Sequence, residues 1–223
     1  MSLCKIDEVL QSYNFSLEDD IEKNTSLFIS EMKSGIERNG SSSLAMLKTY
    51  LSPILAYNKN EHFYNEKTIV IDLGGSNLRS GLVAFDGEGR VHISKQQFCK
   101  TFTKKTYDTA SSFFTNLAKN IEYLKGKSLY IAFCFSYAIE FLKTGYARVK
   151  SLSKDLSVKD IEGRNVGEEL KSALLEAGWE KEIKIFVLND TMAILYSSLY
   201  NRNKNYSSYV SYILGTGLNA AYI

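Results

Sequence analysis

Little in this chain can staple a fold or ligate a metal. Its three cysteines, Cys4, Cys99 and Cys134, are far apart, odd in number and free of any Cys-x-x-Cys spacing. That pattern suggests neither a disulfide frame nor a zinc site, and points to reduced thiols. The two histidines, His62 and His92, are isolated, which excludes a His-rich metal site. A single proline, Pro53, is unusually few but carries no functional signal. No apolar run approaches the roughly 20 residues a membrane span needs. The start, with Asp7 and Glu8 and no apolar core, does not fit a signal peptide. The net charge of +2 leaves no excess of one sign, so no electrostatic case arises for nucleic acid or an anionic membrane. Lys104-Lys105 is the only adjacent lysine pair and fits a solvated loop better than a binding patch. A cytoplasmic location is the expectation.

What is present is ordinary for a globular protein: 44% hydrophobic and 23% charged residues over 223 positions, enough for one large domain or two small ones. Residues 5–39 read as helical, with Ser16 and Asp19 resembling a capping box and Asp20 and Glu22 in the first turn. Ile21, Leu27, Phe28, Met32 and Ile36 give the stripe, and Gly40 closes it. From residue 67 the pattern changes. Strands are predicted at 68–73, 80–86, 91–98, 129–135, 183–188 and 207–214. Helices are predicted at 107–125, 164–178 and 191–201, the first with Phe113, Phe114, Leu117, Ile121 and Leu124 on one face and the second ending at Gly178. The apolar runs Leu129–Phe135 and Ile183–Leu188 read as buried strands, the first central and covered on both faces. Three meandering strands followed by alternating helix and strand imply an α/β mixed sheet.

Four strand ends carry polar side chains. In Ile69-Val70-Ile71-Asp72-Leu73-Gly74-Gly75-Ser76-Asn77-Leu78-Arg79 a β-branched run stops at a carboxylate, and glycines and small polar residues follow. The glycines let backbone approach an anion, Ser76 and Asn77 can donate to it, and Asp72 can hold a metal ion through water. Taken alone the stretch is also an ordinary hairpin with a polar turn. Phe186-Val187-Leu188-Asn189-Asp190-Thr191 ends a strand at two polar residues, where α/β folds bind ligands, yet Asp190 or Thr191 could simply cap a helix. Ser136, after Ala132–Phe135, could be a turn residue. Leu214-Gly215-Thr216-Gly217-Leu218-Asn219 repeats the strand-then-glycine pattern. Two such loops in one chain are stronger evidence for a phosphate site than either alone.

In this order the pieces resemble the hexokinase family. Asp72–Arg79 is similar to its first phosphate motif, D-L-G-G-[TS]-N-[FL]-R. Phe133-Cys134-Phe135-Ser136-Tyr137-Ala138 resembles F-T-F-S-F-P, and Leu152-Ser153-Lys154-Asp155-Leu156 resembles W-T-K-G-F. Val187–Thr191 is similar to V-V-N-D-T, and Leu214–Asn219 to V-G-T-G-S-N. Upstream, Glu31-Met32 with Gly35, and Met46–Tyr50, resemble E-M-x-x-G and M-L-P-T-[FY]. The resemblance implies a ribonuclease-H-like, actin-like ATPase fold: a mixed five-stranded sheet with flanking helices, an N-terminal helical segment and a second lobe only begun. It divides the chain into 1–66, a helical segment and linker that would pack on the large lobe; 67–206, the small domain; and 207–223, the start of the large domain.

The resemblance also implies ATP-dependent phosphorylation of a glucose-like hexose at its 6-hydroxyl, with ATP and Mg2+ as cofactors. Asp190 would be the base, and Ser136, Ser153, Lys154, Asn189 and Asn219 would hold the sugar. Asp72 would position Mg2+ through water, and Gly74, Gly75, Ser76, Asn77, Arg79, Gly215, Thr216 and Gly217 would serve the phosphates. Against the family pattern, Ala138 and Lys48 replace prolines, Leu152 a tryptophan, Asp155 a glycine and Leu218 a serine. The chain ends at Ile223, where a hexokinase continues for about as long again, so it is expected to be inactive alone. The alternatives are a non-catalytic, hexokinase-like sugar-sensing or protein-interaction module, and an actin-like ATPase acting on a non-sugar substrate.

Overall fold

The computed structural model of the chain describes residues 21–37, 42, 44–49, 66–88, 90–100, 102, 105–142, 147–152, 156–200, 206–215 and 218–223, with Glu8 and Ser12. The chain divides into two compact units, Met1–Leu47 and Lys48–Ile223. The first holds helix α1 (Ile21–Glu37). Its expected caps, Ser16, Asp19 and Gly40, lie outside the described residues, whereas Glu22 stands in the first turn as expected. A side chain at buried Gly35 would collide with the Leu44 carbonyl oxygen, so glycine there lets the following segment return against the helix. Ser42 Oγ ties that return to Glu31, 2.8 Å from its carbonyl oxygen.

The second unit is built on a five-stranded sheet ordered β3-β2-β1-β5-β9. β1 (Lys67–Leu73), β2 (Leu78–Phe85) and β3 (Val91–Cys99) form the antiparallel meander. β4 (Thr106–Tyr107) precedes helix α2 (Ala110–Asn120). β5 (Tyr130–Phe135) pairs in parallel with β1. Next come the hairpin of β6 (Ala138–Phe141) and β7 (Ala147–Ser151), then β8 (Ser157–Val158), which pairs with β4. Helix α3 (Val166–Glu176) leads to β9 (Lys184–Leu188), parallel to β5. Helix α4 (Asp190–Tyr200) is followed by the two-stranded ribbon of β10 (Val210–Leu214) and β11 (Leu218–Tyr222).

Local chemistry explains where the helices begin and end. α2 starts at 110, not 107, because Tyr107 belongs to β4 and Thr109 with Ser112 closes a capping box. Asn165 caps α3 through Gly167 and Glu168 backbone N–H groups, with Glu168 and Glu169 in the first turn. α3 ends where Gly178 adopts φ +76°, and Lys125 Nζ donates to the Ala177 carbonyl at 2.7 Å.

The core matches the predicted helical face: Phe113, Phe114, Leu117, Ile121 and Leu124 are fully buried with Ile69, Ile71, Leu73, Ile131, Phe133 and Phe135. Coverage of the sheet is where expectation fails. β5 is central, but only alternate residues are fully buried, and Tyr130 is 36% exposed. β9 is an edge strand, with Phe186 58% exposed. The odd-numbered residues of β5 join the core cluster with α2 and α3, while the opposite face is only partly covered among the described residues. Continuous apolar sequence cannot report this, because a run of β-branched and aromatic residues reads the same whether one face or two is covered. The hairpin β6–β7, the pair β4–β8 and strand β11 had no counterpart in the predicted elements.

At the β2–β3 turn one carboxylate serves four groups. Asp86 Oδ1 accepts from the Glu88 and Arg90 amides at 2.9 and 3.0 Å, and Oδ2 lies 2.9 Å from Arg90 Nε and 2.7 Å from His92 Nε2, while the Asp86 amide itself donates to the Arg90 carbonyl. His92 first, then Arg90, holds its carboxyl well below the usual carboxylate range. A depressed folded pKa contributes stability that is fully present above the unfolded value of about 3.9 and fades as pH falls below it. Asp86→Asn is therefore expected to lower the melting temperature at pH 7, and to keep most of that difference at pH 3, where the folded carboxyl is still ionised, as calorimetry at the two pH values would read.

Candidate active site

Parallel pairing brings the polar strand ends together. Asp72 lies opposite Cys134, and Cys134 opposite Leu188, so β1, β5 and β9 finish at nearly one level. β1 turns back through Gly74–Asn77, closed by a 2.9 Å hydrogen bond from the Gly74 amide to the Asn77 carbonyl. Ser136, 6% exposed, donates its amide to the Leu73 carbonyl at 3.1 Å, and Tyr137 OH donates to the Gly74 carbonyl at 3.3 Å. The segment after β5 is thus stitched to the loop after β1.

Asn189 joins a third and fourth element to that edge. Its Nδ2 donates to the Phe135 and Tyr137 carbonyls at 3.5 and 3.4 Å. Its Oδ1 accepts from the Thr191 amide at 3.2 Å, Thr191 Oγ1 at 2.8 Å and Asn219 Nδ2 at 2.8 Å. The Asn189 carbonyl also accepts the Ala193 amide at 3.0 Å, so Asn189, not Asp190 or Thr191, caps α4. Asp190 is then the first residue of the helix, its Oδ1 accepting from the Thr191 amide at 2.8 Å and from Asn219 Nδ2 at 3.1 Å. Its carboxylate at a helix N-terminus is favourably placed against the dipole.

Asp72 is engaged from the other side. Arg79, its direct cross-strand neighbour, places Nη1 2.8 Å from Asp72 Oδ2, with side chains 58% and 34% exposed respectively. Between the two acidic strand ends lies Cys134, half-buried, its Sγ 3.9 Å from Ser136 Oγ. Burial, then the Asp72 charge, pushes its thiol up to about 12, with Asp190 adding to the rise. Cys134 therefore lies beside Asp72 and within electrostatic reach of Asp190, and both carboxylates stand at the same end of the sheet.

Of the residues predicted for the site, the structure gathers Asp72, Gly74, Ser136, Asn189, Asp190 and Asn219 through the contacts above. Gly75, Ser76 and Asn77 lie in the same loop as Gly74, and Arg79 is the second residue of β2 beside it. Gly215 follows β10, and Leu214 pairs with Leu218 of β11 as Leu73 pairs with Leu78 of β2. Ser153, Lys154, Thr216 and Gly217 lie outside the described residues. Sequence reasoning missed Cys134 as a neighbour of Asp72. It also missed Ser211, 3% exposed, whose Oγ donates to the Thr191 carbonyl at 2.6 Å and anchors the ribbon on α4. A serine at an inward position of an apolar strand was its available signal.

A sheet of this order with polar side chains at the ends of its parallel strands has the actin-like ATPase fold. A hexokinase from Schistosoma mansoni complexed with glucose superposes on 97% of this chain and 48% of its own with a TM-score of 0.76 at 24% identity. A second hexokinase crystal structure covers 89% of this chain and 48% of its own, with a TM-score of 0.63. The hexokinase family model matches residues 5–200, and the chain belongs to that family. Hexokinase-1 of Schizosaccharomyces pombe is 27% identical over 98% of this chain and 46% of its own length. The chain thus spans less than half the length of this curated relative.

The environment of Cys134 has a chemical consequence. With a pKa of about 12 its thiolate is scarce at pH 8, and alkylation is expected on the order of 10²-fold slower than for a free thiol of pKa about 8.5, after allowing for the greater intrinsic nucleophilicity of a high-pKa thiolate. Peptide mapping after iodoacetamide treatment of the folded chain should find Cys134 unlabelled; rapid labelling without denaturant would contradict this placement.

Proposed function

We propose that this chain contributes to ATP-dependent phosphorylation of a glucose-like hexose at the 6-hydroxyl, supplying the small lobe (67–206), the start of the large one (207–223), and the catalytic base Asp190. The observation that carries the reading is the convergence of Asp72, Ser136, Asn189, Asp190 and Asn219 at one sheet edge, with a glycine loop beside Asp72. In the other reading of that loop, a plain hairpin, glycine would be needed for its backbone. Gly74 has no such need: the positive-φ glycines among the described residues are Gly126, Gly163 and Gly178. Among the described residues a Cβ at Gly74 would meet only the Asn77 carbonyl oxygen, at an ordinary 3.6 Å. Its value is then the open space in front of the backbone, which is what an anion requires.

Among the described residues no three metal-ligating side chains cluster. That suits Mg2+, which keeps several waters and leans on one or two carboxylates plus substrate phosphates. Asp72, partly exposed at its strand end, would hold it through water, with Gly75, Ser76, Asn77, Arg79, Gly215, Thr216 and Gly217 serving the phosphates. When bound, Mg2+ neutralises charge developing on the transferred group. The residues of this chain do the rest. Ser136, Asn189 and Asn219, with Ser153 and Lys154, fix the sugar hydroxyls. Asp190 takes the 6-hydroxyl proton as the phosphorus–oxygen bond forms, when that hydroxyl has become acidic enough for a carboxylate base.

A second reading, a sugar-binding module that transfers nothing, is favoured by one contact. Asn219 Nδ2 donates to Asp190 Oδ1 at 3.1 Å, so that oxygen is already engaged within the protein. The two separate in solution. Glucose at saturating concentration should raise the melting temperature, and Asp190→Asn should keep that rise while cutting any glucose 6-phosphate formation by about 10²-fold or more. A rise with no turnover in wild type favours the binding module. No rise with any hexose would overturn both.

A further inference from the structure

Register places five residues in one row across the sheet. Phe98 of β3 pairs with Arg79 of β2, Arg79 with Asp72 of β1, Asp72 with Cys134 of β5, and Cys134 with Leu188 of β9. Direct cross-strand partners share a face, so these side chains stand side by side. Arg79 is held from both flanks: Nη1 is 2.8 Å from Asp72 Oδ2, and Cζ is 5.5 Å from the centre of the Phe98 ring. Phe98 is 50% exposed, and Lys100 Nζ lies 5.8 Å from the same ring. Half its surface is in water, so its ring does little for the core. What it offers is an electron-rich face to cations.

We propose that Phe98 is a positioning residue that docks the Arg79 guanidinium on Asp72, making Arg79 a resident counter-cation which a divalent metal must displace. The inference rests on the reading of Asp72 as the metal-positioning carboxylate. The guanidinium is permanently charged and already neutralises Asp72, so an incoming cation competes with it for the same carboxylate. An exposed Arg–Asp pair is weak alone, because holding two side chains in one geometry costs entropy. A ring that pre-sets the arginine lowers that cost. Displacement would also free the guanidinium at the entrance of the Gly74–Asn77 loop, where a phosphate is proposed to bind.

The test uses Mn2+ without nucleotide, read by paramagnetic broadening of the Gly74 and Gly75 amide signals in nitrogen-15 spectra of the 223-residue chain. Phe98→Ala and Phe98→Leu should lower the Mn2+ concentration for half-broadening by about two- to fivefold, the worth of an exposed cation–π contact. Arg79→Met should lower it by about threefold or more, and adding Phe98→Ala to Arg79→Met should change nothing further. A ring acting only as packing would instead give Phe98→Leu the wild-type value, or leave an effect in the Arg79→Met background; either result overturns the proposal. Asp72→Asn separates the underlying reading: if Gly74 and Gly75 still broaden as in wild type, Asp72 is not the metal-positioning group.

Discussion

Everything at the candidate site depends on parallel pairing. In a parallel ladder neighbouring strands point the same way, so their C-terminal ends collect at one edge. The pairing of Asp72 with Cys134, and of Cys134 with Leu188, brings three separate stretches of sequence to that edge within one or two residues of each other. A slip by one residue would turn Asp72 toward the core formed with α2 and α3 and send Leu73, now fully buried, to the other face. Register is protected by the volume of that core. Ile69, Ile71 and Leu73 of β1 and Ile131, Phe133 and Phe135 of β5 are all fully buried, and each large side chain contributes about 1.5–3 kcal/mol on burial.

What the sheet aligns, Asn189 fastens. One side-chain amide reaches two carbonyls after β5, caps α4 and meets the Asn219 amide from the ribbon. Aspartate could accept on the same side but could not donate to the β5 carbonyls, since an ionised carboxylate only accepts. The demand for donor and acceptor on one short side chain explains why asparagine stands next to Asp190. It also leaves Asp190 out of the capping role, at the head of the helix and beside the proposed sugar ligands. Ser211 adds a second tie between ribbon and helix through the Thr191 carbonyl.

The amino-acid pattern made much of this legible, and the reasons differ by element. The face of α2 and of the 3-10 turn after it (Glu122–Leu124) was visible because Phe113, Leu117, Ile121 and Leu124 recur at helical spacing and cover one side of a sheet. The Asp72 loop was visible because a β-branched run breaks at glycines. Membership of the hexokinase family was visible because five short motifs occur in one order, and the family match over residues 5–200 bears it out. The half-covered face of β5 and β9 was not visible, since apolar composition does not count covering layers. The strands β6, β7 and β8 are short, and β8 pairs with β4, which is distant in sequence.

By itself the sequence determined the kinds of groups available: two acids at strand ends, two glycine turns, amides and hydroxyls between them, and the apolar periodicities that choose strand or helix. These are local properties, fixed by side-chain chemistry and by the spacing of residues along a chain. Only the tertiary structure decided who neighbours whom. Asp72 meets Arg79 and borders Cys134, Asn219 reaches Asp190, and Phe98 lines up behind Arg79 because the strands that carry them pair in one register. Such neighbours are selected by burial summed over the whole sheet, which no single segment carries.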